Sequence, residues 1–116
     1  MELSRRDLAN VTILDLSGRL TSTDGAGRLK EKVTSLIFEG RKNIVLNLSN
    51  LTYMDSAGLG EMVACHSTAA KSGGAVKLAN TTNRVKDLLT ITKLLTVFES
   101  FDSEADALRS FAATPV

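Results

Sequence analysis

The run Ile44-Val45-Leu46-Asn47-Leu48 constrains this chain more than any other. Apolar on both faces apart from Asn47, it fits a central strand covered by helices on one side. Soon after it, Tyr53-Met54-Asp55-Ser56-Ala57-Gly58-Leu59-Gly60 leads into a segment with helical spacing, so Ser56 stands at a strand-to-helix corner. Ala57 and Gly58 are too small to cover its hydroxyl. The first backbone N–H groups of the helix and the positive end of its dipole make the corner a place where negative charge is tolerated.

The rest of the chain falls into place around this corner. Glu2 to Leu8 reads as an edge strand turning at Ala9-Asn10, and Val11-Thr12-Ile13-Leu14-Asp15-Leu16 as a second strand closed by Gly18. Thr21-Ser22-Thr23-Asp24 is rich in capping oxygens, and Leu29, Val33, Leu36 and Ile37 then share one helical face up to a stop at Gly40. Gly25 and Gly27 weaken the first turn, which predicts a mobile loop leading into this helix.

After the strand Ile44 to Leu48, Ser49-Asn50-Leu51-Thr52 reads as a loop. Leu59, Met62, Val63, His66 and Ala70 mark the helical stripe that Ser72-Gly73-Gly74 ends. Ala75 to Leu78 is a short strand. Thr82 or Asn83 caps a helix bearing Val85, Leu88 and Leu89, with Thr92 to Leu95 as its exit and Val97 to Phe101 as a last strand. Ser103-Glu104-Ala105-Asp106 resembles a capping box, and Ala105, Leu108, Phe111 and Ala112 give the final helix its inner face, with fraying after Ala113. The order strand, strand, helix, strand, helix, strand, helix, strand, helix predicts an α/β fold: one domain over residues 1–116, a small mixed sheet of four to five strands, right-handed crossovers and about four helices.

Composition narrows the function. Fourteen Lys and Arg against thirteen Asp and Glu leave a formal net charge of +1, with no basic run, which speaks against nucleic acid as a partner. The single cysteine, Cys65, rules out an internal disulfide and suits a reducing compartment. No stretch approaches the roughly 20 apolar residues of a membrane span, and Met1-Glu2-Leu3-Ser4-Arg5-Arg6-Asp7 lacks a signal-peptide apolar region, so a cytoplasmic protein is expected.

On the residues alone, Ser56 is a modified switch, a helix N-cap or a nucleophile. Met54-Asp55-Ser56-Ala57-Gly58 lacks the first glycine of a nucleophile elbow, and the only histidine, His66, stands ten residues into the helix, roughly 15 Å away at 1.5 Å per residue. Cys65 and His66 are adjacent and point to different faces, and no further Cys or His completes a metal set. Neither hydrolase chemistry nor a bound cofactor is expected.

Asn47-Leu48-Ser49-Asn50-Leu51-Thr52-Tyr53-Met54-Asp55-Ser56-Ala57-Gly58-Leu59-Gly60 resembles the signature of STAS domains, in particular bacterial anti-sigma factor antagonists. Val11 to Gly18, Lys77-Leu78-Ala79-Asn80 and Phe98 to Ser103 fall where that family has its other strands. The resemblance implies a non-enzymatic partner-switching protein. Its unmodified form would bind an anti-sigma factor serine kinase and free a sigma factor, phosphorylation at Ser56 would switch binding off, and a serine phosphatase would reset the cycle. Asp55, Ala57, Gly58 and Leu59 would then surround the phosphoacceptor as recognition surface, with Thr21 and Asp24 on the neighbouring loop, and Thr52 as a second candidate for modification. The family's Gly-Glu-Leu-Asp type of run is replaced here by Gly18-Arg19-Leu20-Thr21, with Asp24 three positions on, which bears on which partner that loop recognises; by their spacing in and after the loop, Arg19, Asp24 and Arg28 are expected to flank the surface. The same resemblance admits an accessory subunit of a lipid-transport ATPase complex or a stress-signalling scaffold, in which the serine corner docks without modification.

Overall fold

A computed structural model describes residues 1–94 and 96–112. Of the expected helix exit Thr92 to Leu95 only Leu95 lies outside the described residues, as does the fraying after Ala113. The elements are β1 (Glu2–Leu8), β2 (Val11–Leu20), α1 (Arg28–Phe38), β3 (Asn43–Met54), α2 (Ser56–Lys71), β4 (Ala75–Ala79), α3 (Asn83–Ile91), β5 (Ser100–Phe101) and α4 (Glu104–Ala112). They build one five-stranded sheet in the order β1-β2-β3-β4-β5, antiparallel between β1 and β2 and parallel thereafter. The mixed sheet and four helices predicted from the alternation are therefore present.

Helices cover both faces of the sheet. Leu14 and Leu16 of β2, and Ile44, Leu46 and Leu48 of β3, join Leu29, Val33 and Leu36 of α1, Met62, Cys65 and Ala69 of α2, and Val85 and Leu89 of α3 in the main core. The alternate positions Val11, Ile13, Val45 and Ala79 pack with Ala107 of α4 in a smaller core on the opposite face. One-sided cover, expected from the Ile44–Leu48 run, is corrected by that second layer. A two-fold alternation that is apolar at both parities needs partners on both sides.

Other expectations shift in detail. Ser49 to Thr52 is strand rather than loop: β3 runs on to Met54 beside the far end of β2, where two register shifts keep Arg19 opposite Tyr53 and Leu20 opposite Met54. Because Leu51 and Met54 are buried, polar Ser49, Asn50 and Thr52 are simply the solvent positions of a strand that has outrun its cover. Gly18 likewise does not close β2; it sits within it at φ +87°. The last strand contracts from Val97–Phe101 to Ser100–Phe101.

On α2 the buried positions are Gly58, Leu59, Met62, Cys65 and Ala69, so His66 and Ala70 lie off the stripe. On α4 they centre on Ala107 with Leu108 and Phe111 beside it, and Ala105 and Ala112 are exposed. Ser103 nonetheless caps α4, its Oγ accepting from the Asp106 amide at 3.1 Å. Gly40, at φ +89°, ends α1 as expected: its amide donates to Ile37 O and that of Arg41 to Leu36 O, each at 2.9 Å.

Candidate functional site

The corner is built by Asp55 rather than by Ser56. Asp55 is extended, with φ −103° and ψ −176°, and its carboxylate accepts from the Gly58 amide at 2.9 Å, so Asp55 is the N-cap of α2 and Ser56 its first helical residue. The reading of Ser56 as a cap is thereby replaced. Its hydroxyl makes no hydrogen bond among the described residues, and both Ser56 and Ala57 are exposed.

Asp55 also ties the corner to the loop before α1. Its second oxygen accepts from the Ser22 amide at 3.3 Å, and its own amide donates to Leu20 O at 3.4 Å. Charge is concentrated here in a group already satisfied by backbone donors: the Gly58 amide, and less strongly those of Ser22 and Ala57, hold the Asp55 carboxyl below the usual aspartate range. The α2 N-terminus commits the Gly58 amide to this carboxylate.

The predicted surface divides accordingly. Asp55, Ser56, Ala57 and Asp24 reach the solvent, whereas Gly58, Leu59 and Thr21 do not. Leu59 is 2% exposed, so its expected contact with a partner is corrected to a core contact, one turn into a helix whose first buried side chain it supplies. Gly58 is buried because a Cβ there would stand 2.2 Å from Leu20 O, so glycine sets the close approach of α2 to the end of β2. Thr21 is buried as the organiser of its loop: Oγ1 accepts from the Asp24 amide at 3.0 Å and the Thr23 amide at 3.3 Å, and the Thr21 amide donates to Asp24 O at 2.9 Å.

The capping expected of Thr21 to Asp24 is therefore turn-making instead. Helix α1 starts at Arg28, with Gly27 at φ +81° as its N-cap. The donors that Gly27 cannot satisfy are met from α2, where Glu61 accepts from the Gly27 amide at 2.7 Å and the Lys30 amide at 3.0 Å. Thr52 is exposed but its Oγ1 donates to Gly18 O at 2.9 Å. Arg28 reaches the carbonyl of Met1 instead of the corner.

Sequence reasoning missed the aromatic side of the corner. The guanidinium of Arg19 lies 4.7 Å from the centroid of the Tyr53 ring and that of Arg84, from the first turn of α3, 4.6 Å from it. Arg19 also pairs with Asp24 at 3.3 Å. No local pattern around Arg84 announces this meeting, because about thirty residues of chain, including a whole strand, separate it from Tyr53.

What this arrangement offers chemically is an accessible hydroxyl that no hydrogen bond holds among the described residues. The His66 ring packs against Phe98, with centroids 5.3 Å apart. Cys65 is buried in the core, and burial, with a smaller contribution from the charge of Glu61, pushes its thiol up to about 12, which keeps it protonated and unreactive at neutral pH. Among the described residues no group of three or more His, Cys, Asp or Glu could hold a metal ion, and no helix is long and apolar enough to cross a membrane.

Comparison with known proteins supplies a family and a fold. The STAS domain family model matches residues 3–107. The anti-sigma-B factor antagonist of Bacillus subtilis is 35% identical over 71 residues, which are 61% of this chain and 64% of that protein. The chain spans less than two thirds of the length of the curated relatives it matches. A crystal structure of a Thermotoga maritima protein assigned as an anti-sigma factor antagonist superposes with a TM-score of 0.86 at 25% identity, covering 93% of this chain and 92% of the other. The Bacillus cell fate determinant SpoIIAA in its phosphorylated form shares the fold, with a TM-score of 0.74 at 19% identity over 95% of this chain and 99% of its own.

Proposed function

The chain belongs to the STAS domain family, and from that premise we propose that it acts, as a single STAS domain over residues 1–116, as an anti-sigma factor antagonist switched by phosphorylation of Ser56. The unmodified protein binds an anti-sigma factor serine kinase in the cytoplasm and so releases a sigma factor; phosphorylated protein does not bind, and a serine phosphatase restores it. The protein is in this reading a substrate and a ligand, not an enzyme.

The observation that carries this reading is the Ser56 hydroxyl itself, exposed at the head of α2 and relieved of capping by Asp55. Phosphorylation adds roughly −1.5 to −2 charges and three acceptor oxygens. Asp55 already occupies the amide of Gly58 that would otherwise welcome that charge. The phosphate therefore stands as added like charge beside a carboxylate, and pressing it unpaired into an interface costs several kcal/mol, when about 1.4 kcal/mol suffices for a tenfold change in affinity. Exclusion needs no change of fold. The relatives' names and the phosphorylated SpoIIAA structure support the assignment.

The test is incubation with ATP and a purified anti-sigma factor serine kinase, comparing wild type with Ser56→Ala. Label is expected on wild type only, at Ser56 by mass spectrometry, with binding to the kinase weakened at least about tenfold in the labelled protein. Label on the Ser56→Ala variant, or undiminished binding after modification, would overturn the reading.

A further inference from the structure

Tyr53 collects two cations. The guanidinium carbons of Arg19 and Arg84 both lie within 5 Å of its ring centroid, so they are at most about 9 Å from each other, the sum of the two distances. Like charges so close repel, and a protein that gathers them over one ring has left room for a counter-charge. Asp24 supplies part of it, pairing with Nε of Arg19, whose side chain stays 57% exposed. Arg84 is exposed and makes no hydrogen bond or ion pair among the described residues. A guanidinium lying over a ring keeps its N–H donors directed outward in its own plane, the geometry that grips a carboxylate by two parallel bonds.

The place matters as much as the charge. Tyr53 precedes Ser56 by three residues, so their Cα atoms are at most about 11 Å apart. We propose that Arg19 and Arg84, gathered on Tyr53 beside the serine corner, receive a carboxylate-bearing segment of the protein partner. This deepens the antagonist reading and rests on it for the partner's identity. A protein carboxylate is favoured over a free phosphate because the Gly58 amide, a donor that a phosphate cradle at the start of α2 would use, is already engaged by Asp55.

Two measurements test the surface. In the first, a six-glutamate peptide is titrated into protein labelled with 15N, following the arginine Nε–Hε resonances, with inorganic phosphate as the competing probe. Saturable shifts at Arg19 and Arg84 are expected, suppressed by high salt and absent from the doubly substituted Arg19→Gln, Arg84→Gln protein, whose thermal unfolding should match wild type. Absence of shifts at these two arginines, or phosphate binding there more tightly than the peptide, would overturn the proposal. In the second, the anti-sigma factor kinase that binds wild type should bind the double variant about tenfold or more weakly, as loss of a buried arginine contact commonly costs. Kinase binding that ignores both substitutions sinks the surface and leaves the antagonist reading intact. Peptide shifts at both arginines in a protein that binds no kinase would sink the antagonist reading and keep the surface.

Discussion

A methyl group is the smallest probe of the serine corner. At Gly58 it would meet Leu20 O at 2.2 Å, a backbone atom that cannot swing aside, whereas at Gly60, two residues on in the same helix, it would meet nothing within 4 Å. Gly58→Ala should therefore cost about 1 to 3 kcal/mol, in the range of overpacked cores. Gly60→Ala should be neutral or gain up to about 1 kcal/mol, because alanine is the better helix former. Denaturant midpoints of the two variants, measured side by side, check the contrast. Equal effects would mean that α2 does not rest on β2 as described. At this scale the sequence was most informative where the residues are contiguous: the corner at Ser56 could be read directly from the Ile44–Leu48 run and the Tyr53–Gly60 segment beyond it. Burial of Thr21 could not, because it depends on a turn closed by Asp24, and Leu59, placed both on the helical stripe and on the recognition surface, is decided between the two only by the core it packs into.

Among elements, α1 shows how a helix can be legible in its face and illegible in its start. Leu29, Val33 and Leu36 are buried as their spacing predicts. The start moves to Arg28 because the cap comes from Glu61, a residue on another helix that no local pattern could have flagged. Removing it tests the point. Glu61→Ala should lower stability by about 0.5 to 2 kcal/mol, the usual cost of a lost cap, and should speed hydrogen exchange at the Gly27 and Lys30 amides while leaving the last turn of α1 protected. Similarly, the length of β3 was hidden by Ser49, Asn50 and Thr52, which look like a loop until the end of β2 is seen to run beside them.

Across the whole molecule, a row of polar side chains ties the strands together. Arg6 on β1 grips Asp15 on β2 with bonds of 2.7 and 2.8 Å and also pairs with Glu104 of α4. Asn47 on β3 donates to Asp15 at 2.8 Å and accepts from Asn80, just beyond β4, at 2.9 Å. Arg6 first, and then Asn47, hold the Asp15 carboxyl below the ordinary aspartate value of about 3.9. The folded state thus binds this proton less readily than the unfolded chain, so the associated stability is complete above the unfolded value and disappears as pH falls through the lower folded one. Asp15→Asn should be less stable than wild type at pH 7, and the gap should close on acidification below about pH 4, as read from urea midpoints over a pH series. A gap that widened in acid would contradict the sign.

The two margins of the sheet complete the picture. One is β1, bearing Arg5, Arg6 and Asp7, and the other is β5, only two residues long. A charged margin and a stunted one are poor templates for a strand offered by another chain, so a partner gains little by extending this sheet through main-chain bonds. Recognition is left to side chains, and an interface won by side chains is one that a single added phosphate can undo.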